Sequence, residues 1–171
     1  LANFRYFSKS YLGFYSAAIS ENSESRNEWG FLLNLSHRFS RKLGLDLYFD
    51  YFHFPWLKFN VDAPSSGFEL SSRLNYRWNR KMDFYFNYRI KSKEENTYSF
   101  NYTNTLMRVW KQQFRIHLNK TFNSKFKMSL RLEGNLVKIE NWSSGFLFYF
   151  NLQYQPNTQW VFNYRLNLFS S

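Results

Sequence analysis

The sequence predicts an all-β fold: an antiparallel up-and-down sheet of about nine strands, with no helix. Three observations carry this. Apolar and polar residues alternate strictly over most of the chain. The segments between alternating runs are short and long in turn. Aromatic residues make up 23% of the 171 positions, with 21 Phe, 13 Tyr and 6 Trp. Period two is a strand signature, because successive side chains point to opposite faces of a sheet.

Each run can be read in order. Ala2, Phe4 and Tyr6 oppose Asn3, Arg5 and Phe7, a short first piece. Phe31, Leu33, Leu35, His37 and Phe39 oppose Leu32, Asn34, Ser36 and Arg38. Leu43, Leu45, Leu47, Phe49 and Tyr51 oppose Gly44, Asp46, Tyr48 and Asp50. Phe68, Leu70, Leu74, Tyr76 and Trp78 oppose Glu69, Ser71, Arg73, Asn75 and Arg77. Met82, Phe84, Phe86, Tyr88 and Ile90 oppose Asp83, Tyr85, Asn87, Arg89 and Lys91. The second half continues with Phe114, Ile116, Leu118 and Phe122 against Gln113, Arg115, His117, Asn119 and Thr121. Phe126, Met128, Leu130, Leu132 and Leu136 oppose Lys127, Ser129, Arg131, Glu133 and Asn135. Phe146 to Tyr154 and Trp160 to Leu168 complete the series, with Tyr149, Asn151 and Arg165 on the polar side. Short turns are expected near 40–42, 79–81, 123–125 and 156–158. Longer loops are expected at 9–27, 55–66 and 94–106, with a brief one at 140–144. Tyr11–Ile19 is a candidate extra strand inside the first loop.

Composition excludes several classes. Disordered chains have few aromatics. Absence of cysteine excludes disulfide scaffolds and thiolate metal sites. The mean hydropathy is −0.58, and no apolar run approaches the ~20 residues of a membrane helix. A membrane β-barrel remains open, because its strands alternate. The chain starts at Leu1 without a signal-peptide pattern.

The apolar face reads as a lipid-facing one. It carries large rings on nearly every strand, more than the interior of a small soluble barrel holds. The runs of about 10–13 residues suit tilted membrane strands. Aromatics flank an aliphatic band: Phe39, Tyr76, Trp78, Tyr154 and Trp160 near the short turns, and Tyr51, Tyr88 and Trp110 near the long loops. Such girdles are typical of membrane boundaries. Lys120 and Lys138 are the charges on this face, near strand ends where their stems can snorkel.

The polar face is then a lumen lining: Arg38, Asp46, Asp50, Glu69, Arg73, Arg77, Arg89, Lys91, Lys111, Arg115, His117, Arg131, Glu133 and Arg165, with Asp83 and Lys127. It carries ten Arg or Lys against five acids, as part of a formal charge of +11. A positive wall interleaved with Tyr48, Tyr85 and Tyr149 suits an anionic solute or a nucleic-acid strand. Asp46 and Asp50 are about 13 Å apart along the strand, too far to work as a catalytic pair. They are expected to pair with Arg73 and Arg77 on the next strand, and Arg131 and Glu133 with Arg115. His37, His53 and His117 share no metal-ligand spacing, and no cofactor is expected. Ser129 or Ser71 with His117 is the one conceivable nucleophile–base pair, facing inward. Enzyme chemistry is not expected.

One stretch is distinctive: Phe54-Pro55-Trp56-Leu57-Lys58-Phe59-Asn60-Val61-Asp62-Ala63-Pro64-Ser65-Ser66-Gly67-Phe68-Glu69. With Arg26–Gly30, Tyr88–Asn96 and Ser143–Phe146, it resembles outer-membrane barrel proteins of Bacteroidota-type bacteria that carry an N-terminal helix-hairpin-helix domain, often labelled ComEA-like. The likeness covers about residues 26–169. It implies an outer-membrane location, lipid and lipopolysaccharide contact, and a link to DNA uptake through a domain outside this chain. Physically, Pro55 ends a strand, Ala63–Gly67 is turn chemistry, and Trp56 packs the loop on the rim. Pro55, Trp56, Asp62, Pro64 and Gly67 therefore form an extracellular loop motif. If short turns are periplasmic, the strand at 159–169 runs outward. Complete single-chain bacterial barrels have even strand numbers, so residues 1–171 are expected to be one barrel segment, incomplete at both ends, with the rest of the barrel as partner. The function expected is a non-enzymatic pore, transport component or anchor. The alternatives are a plugged structural barrel and a soluble sheet protein that binds anionic polymers.

Overall fold

A computed structural model describes residues 1–11, 19–22, 25–98 and 104–170. Nine strands follow in chain order: β1 (Ala2–Phe7), β2 (Glu28–Arg38), β3 (Leu43–Phe54), β4 (Ser65–Asn79), β5 (Met82–Tyr98), β6 (Asn104–Thr121), β7 (Phe126–Lys138), β8 (Trp142–Tyr154) and β9 (Phe162–Ser170). They form one antiparallel sheet in the order β1 to β9. No helix occurs among the described residues, and β1 and β9 are not paired with each other. The architecture is thus an up-and-down meander, as expected, in a sheet that does not close on itself. Residues 12–18 of the candidate strand at Tyr11–Ile19 lie outside the described residues.

Face parity survives every ladder. Phe31 pairs with Tyr51, Tyr51 with Phe68, Leu74 with Phe86, Phe86 with Ile116, Ile116 with Leu132 and Leu132 with Phe148. On the other side, Asp46 faces Arg73, Asn87 faces Arg115, and Arg115 faces Glu133. A slip of one residue in any ladder would move a whole strand's apolar set to the polar face.

The pairing is staggered. Arg38, the last residue of β2, starts a row of opposed residues through Gly44, Asn75, Tyr85, His117, Arg131 and Tyr149. The row ends at Asn167, well inside β9. Such stagger accompanies the strand tilt of a closing sheet.

All four short turns use one device. The Ser40 hydroxyl accepts from the backbone N–H of Lys42 and Leu43 (both 3.1 Å). The Asn79 carbonyl accepts from Lys81 at 2.8 Å. Asn123 accepts from Lys125 and Phe126 at 2.9 and 2.8 Å. Asn157 accepts from Gln159 and Trp160 at 3.1 and 3.0 Å. A Ser or Asn side chain thus replaces the missing backbone partner at each reversal.

The strand bounds correct the expected loops. β5 and β6 run 17 and 18 residues, so most of 94–106 is ladder rather than loop. Glu94 opposes Arg108 there and pairs with it at 2.8 Å. Residues 93–97 are polar on both faces, which erases the alternation without affecting backbone pairing. β8 begins at Trp142, with Ser143, Ser144 and Gly145 opposite Val137, Leu136 and Asn135. Ser65, Ser66 and Gly67 belong to β4. Gly67 is not a turn glycine: none of the described glycines has positive φ. It lies opposite Phe52, whose ring would come within 2.5 Å of a Cβ there.

The two faces are finished differently. On the apolar face Phe31, Leu70, Phe86, Phe114, Ile116, Leu132, Phe146 and Leu168 are all exposed, and no layer covers them among the described residues. Among the described residues the buried apolar side chains are Phe52, Phe54, Val61 and Val109. Phe52, Phe54 and Val109 have the parity of the polar face and sit at its long-loop end.

Candidate functional site

All fourteen residues expected on the polar face lie there, and they separate into three zones. At the long-loop end, charge is compensated, and around Arg5 it is also buried. Arg5 Nε donates to Glu28 Oε1 at 2.6 Å, and its Nη1 and Nη2 donate to Asp50 at 2.7 and 3.2 Å. The first loop folds onto this cluster: Ser20 Oγ donates to Glu28 Oε2 at 2.7 Å, and Lys91 pairs with Glu21 at 2.6 Å. Glu69 takes Arg89 at 2.7 Å and Lys91 at 3.4 Å. The second loop lies beside the first, with Asn27 Nδ2 donating to the carbonyls of Trp56 and Leu57 at 2.8 and 3.2 Å. Phe52 and Phe54, both 0% exposed, lie under this cover, and Lys58 Nζ sits 3.7 Å over the Phe54 ring. Burial, with Lys93 nearby, pulls the Lys58 ammonium down to about 8.

The expected partners of Asp46 and Asp50 are corrected. Asp50 pairs with Arg5, two strands away, because Gly30 on the strand between leaves room for the guanidinium. Asp46 stands opposite Arg73 but accepts from Ser36 Oγ at 2.6 Å and from Asn75 Nδ2 at 2.9 Å. Asn75 also accepts from Arg73 Nε at 3.0 Å, so an amide stands between acid and guanidinium. Arg77 faces Asp83 with no ion pair within 4 Å among the described residues. The third expected set is present: Arg115 pairs with Glu133 at 2.9 Å, and Arg131 reaches Glu133 at 3.5 Å.

The middle zone is a continuous belt of guanidinium groups and rings across β4 to β9. Arg73 lies 4.1 Å over Tyr85, and Tyr85 is 5.1 Å from the His117 ring. Arg131 Nε donates to His117 Nδ1 at 3.4 Å. Tyr149 is then flanked by Arg131 at 5.3 Å and Arg165 at 5.5 Å. Guanidinium–ring stacking orients each cation without neutralising it.

The third zone is a recess of ≈ 830 Å³ at the short-turn end, lined from β2 to β6 by Ser36, Arg38, Asp46, Arg73, Asn75, Arg77, Asp83, Tyr85, His117 and Asn119, with Arg41 and Lys42 from the first turn.

The Ser129–His117 pairing is not formed. Asn119 Oδ1 accepts from Ser129 Oγ and contacts His117 Nε2, each at 2.9 Å. His117 Nε2 is thus engaged by Asn119 and Nδ1 by Arg131. The nucleophile–base hydrogen bond of a Ser–His pair is therefore missing. Ser71 faces Arg89 on β5, away from His117. Among the described residues no cluster of three His, Asp or Glu is placed to hold a metal.

The remaining expected residues find definite places. Pro55 follows the last residue of β3, and Trp56 is exposed beneath Lys9, whose Nζ is 3.5 Å from the ring. Asp62 bonds Asn96 Nδ2 at 2.8 Å, and Pro64 immediately precedes β4. Tyr51, Tyr76 and Tyr154 lie on the apolar face near strand ends, with Trp78 at an irregularity between Arg77 and Asn79, whereas Trp110 shares that face but stands well inside β6, which begins at Asn104. Phe39 and Trp160 stand just outside their strands. Tyr88 departs from the expected rim: β5 continues to Tyr98, and the Tyr88 hydroxyl donates to Gln112 Oε1 at 3.0 Å. Sequence reading missed Arg5, Glu28, Asn75 and Asn119 as organising residues.

Comparison with family models, curated proteins and solved structures finds no match for this chain.

Proposed function

We propose that this chain is a wall of an outer-membrane β-barrel: its apolar face meets lipid, and its polar face lines a lumen stoppered by its own loops at one end and cationic at the other. The observation that carries this reading is the uncovered apolar face. Soluble monomers rarely expose contiguous apolar patches above a few hundred Å², and a soluble sheet needs a second layer on that side. Charges on this face lie at its margins. Lys120 and Lys138 sit against Phe122 and Trp142, while Glu94 and Arg108 pair beyond Trp110. From Trp110 to Lys120 on β6 there is no charge on that face, a span of about 33 Å along the strand, or about 25 Å once a tilt near 40° is allowed. That matches the apolar band of such barrels.

The role that fits is a non-enzymatic transport component whose lumen is closed at rest. The loop cover over Phe52, Phe54 and the Arg5 cluster supports closure rather than an open pore. A link to DNA uptake rests on the family resemblance alone. The reading is tested by extracting membranes that hold the full-length protein with alkaline carbonate and with urea, which strip peripheral proteins. Retention in the pellet, with release by detergent, is expected; release into plain buffer overturns it.

A further inference from the structure

The recess at the short-turn end holds charge that no described carboxylate answers. Arg38, Arg41, Lys42, Arg73 and Arg77 line it against two acids, Asp46 and Asp83. None of the five cations has a carboxylate within 4 Å among the described residues. The acids are spoken for by neutral donors: Asp46 by Ser36 and Asn75, Asp83 by Asn119 Nδ2 at 3.1 Å. This is unlike the other end of the same face, where Arg5, Arg89 and Lys91 each hold a carboxylate. Opposition in register makes the contrast sharper. Arg73 faces Asp46 and Arg77 faces Asp83, yet neither closes an ion pair.

Two features hold the cations ready. Arg73 is fixed by Asn75 through Nε and by the Tyr85 ring under its plane, which leaves its terminal nitrogens for another acceptor. The first turn is tied to β4 by Arg77 N–H donating to the Lys42 carbonyl at 2.7 Å, which sets Arg41 and Lys42 beside Arg77.

We propose that this recess is a binding site for a small, multiply charged phosphorylated solute. Three positive charges remain after the two acids are counted, which calls for a polyvalent anion rather than a single carboxylate. The cations come from the end of β2, from the turn and from β4, so they approach one volume from different directions. A tetrahedral phosphoryl group offers oxygens in those directions, whereas a planar carboxylate offers one edge. The site depends on the proposed lumen for its compartment, not for its chemistry.

The test is calorimetric titration of the full chain in detergent micelles with pyrophosphate at low salt. Saturable binding at one site is expected. Arg73→Gln or Arg77→Gln weakens it by about tenfold or more, the worth of one charge-assisted contact. Arg73→Lys keeps the charge and the fold but loses the fork, and weakens it several-fold. Lys138→Gln, on the apolar face, leaves it unchanged. Absent or non-saturable binding overturns the proposal, as does an equal loss with Lys138→Gln. Citrate binding as tightly as pyrophosphate overturns the phosphoryl assignment. Loss of pyrophosphate binding in nanodiscs that contain phosphatidic acid hands the site to a lipid headgroup, and tighter binding of a single-stranded oligonucleotide hands it to nucleic acid; either result overturns a solute site. The titration needs no bilayer, so failure of the membrane reading in the extraction experiment is told apart from failure of this one.

Discussion

Arg5 and Asp50 lie on strands that are not neighbours, yet they form a two-pronged ion pair at 2.7 and 3.2 Å across the intervening β2. The crossing point is Gly30, where a Cβ would stand 2.7 Å from the guanidinium carbon. One arginine therefore ties β1 to β3, and through Glu28 it also ties in the first loop. Both partners are buried, with side-chain exposures of 5% and 9%. Removing one member leaves buried charge unpaired.

Arg5→Ala is accordingly expected to destabilise the folded protein by about 3–5 kcal/mol, the usual cost of stranding a buried carboxylate. Arg5→Met with Asp50→Leu and Glu28→Gln is expected to recover much of that loss, because no ion is then stranded. Gly30→Ala would set a Cβ 2.6 Å from the Tyr51 backbone oxygen as well as 2.7 Å from the Arg5 guanidinium, and is expected to cost about 1–3 kcal/mol. Urea titration followed by tryptophan fluorescence measures all three. A loss below about 1 kcal/mol for Arg5→Ala counts against the bridge.

The proposed stopper at the long-loop end makes a prediction about conductance. Phe52 fills the space over Gly67, and Phe54 carries Lys58 on its ring. Truncating both rings to Ala removes the floor on which the loops rest, at about 3–5 kcal/mol each if the loops stay closed. Opening the loops avoids part of that cost. In planar-bilayer recordings of the full-length protein, small or absent currents are expected for the wild type and larger ones for the double variant. Identical currents would show that these rings do not hold a gate.

Turn chemistry gives a third prediction. Asn123 takes two backbone N–H groups into its side chain, and Asn157 does the same. Asn→Ala at either position leaves two donors to water and is expected to cost about 1 kcal/mol. Asn79 holds one donor, so Asn79→Ala is expected to cost less. Equal effects at Asn79 and Asn123 in the same urea assay sink this ordering.

What could be read from the sequence follows from what period two encodes. Parity assigns a face, and a ladder transmits parity from strand to strand, so all fourteen polar-face residues fall where alternation puts them. Parity says nothing about how far along a strand two side chains meet. Alternation therefore matches Asp50 to the wrong guanidinium, because Arg5 enters from a short strand beyond its immediate neighbour. Strand length was legible only while the two faces differed. From Lys93 to Thr97 both faces are polar, and the signal vanishes where the ladder continues. The stopper did leave a trace: Tyr51-Phe52-His53-Phe54 breaks alternation with rings on both parities.

Lys58 supplies the final prediction, for pH. Its ammonium titrates near 8 with the loop docked, against 10.5 for an ordinary lysine, because burial disfavours the charge and Lys93 adds repulsion. Glu21, Glu28 and Glu95 oppose the shift without cancelling it. The undocked loop thus binds more protons between these two values, and docking strengthens as pH rises through that window. Below about 8 both states are charged, and docking no longer changes with pH. A spin label at Phe59→Cys, on the exposed tip of the same loop in a chain with no native cysteine, reports docking directly. The label is expected to become progressively immobilised from pH 8 to 10 and to show a plateau from pH 7 to 8, over the range set by that pKa. Lys58→Met, which retains the apolar stem over Phe54 and discards the charge, is expected to flatten the profile at the immobilised level. A profile that keeps its slope in Lys58→Met assigns the titration to another group.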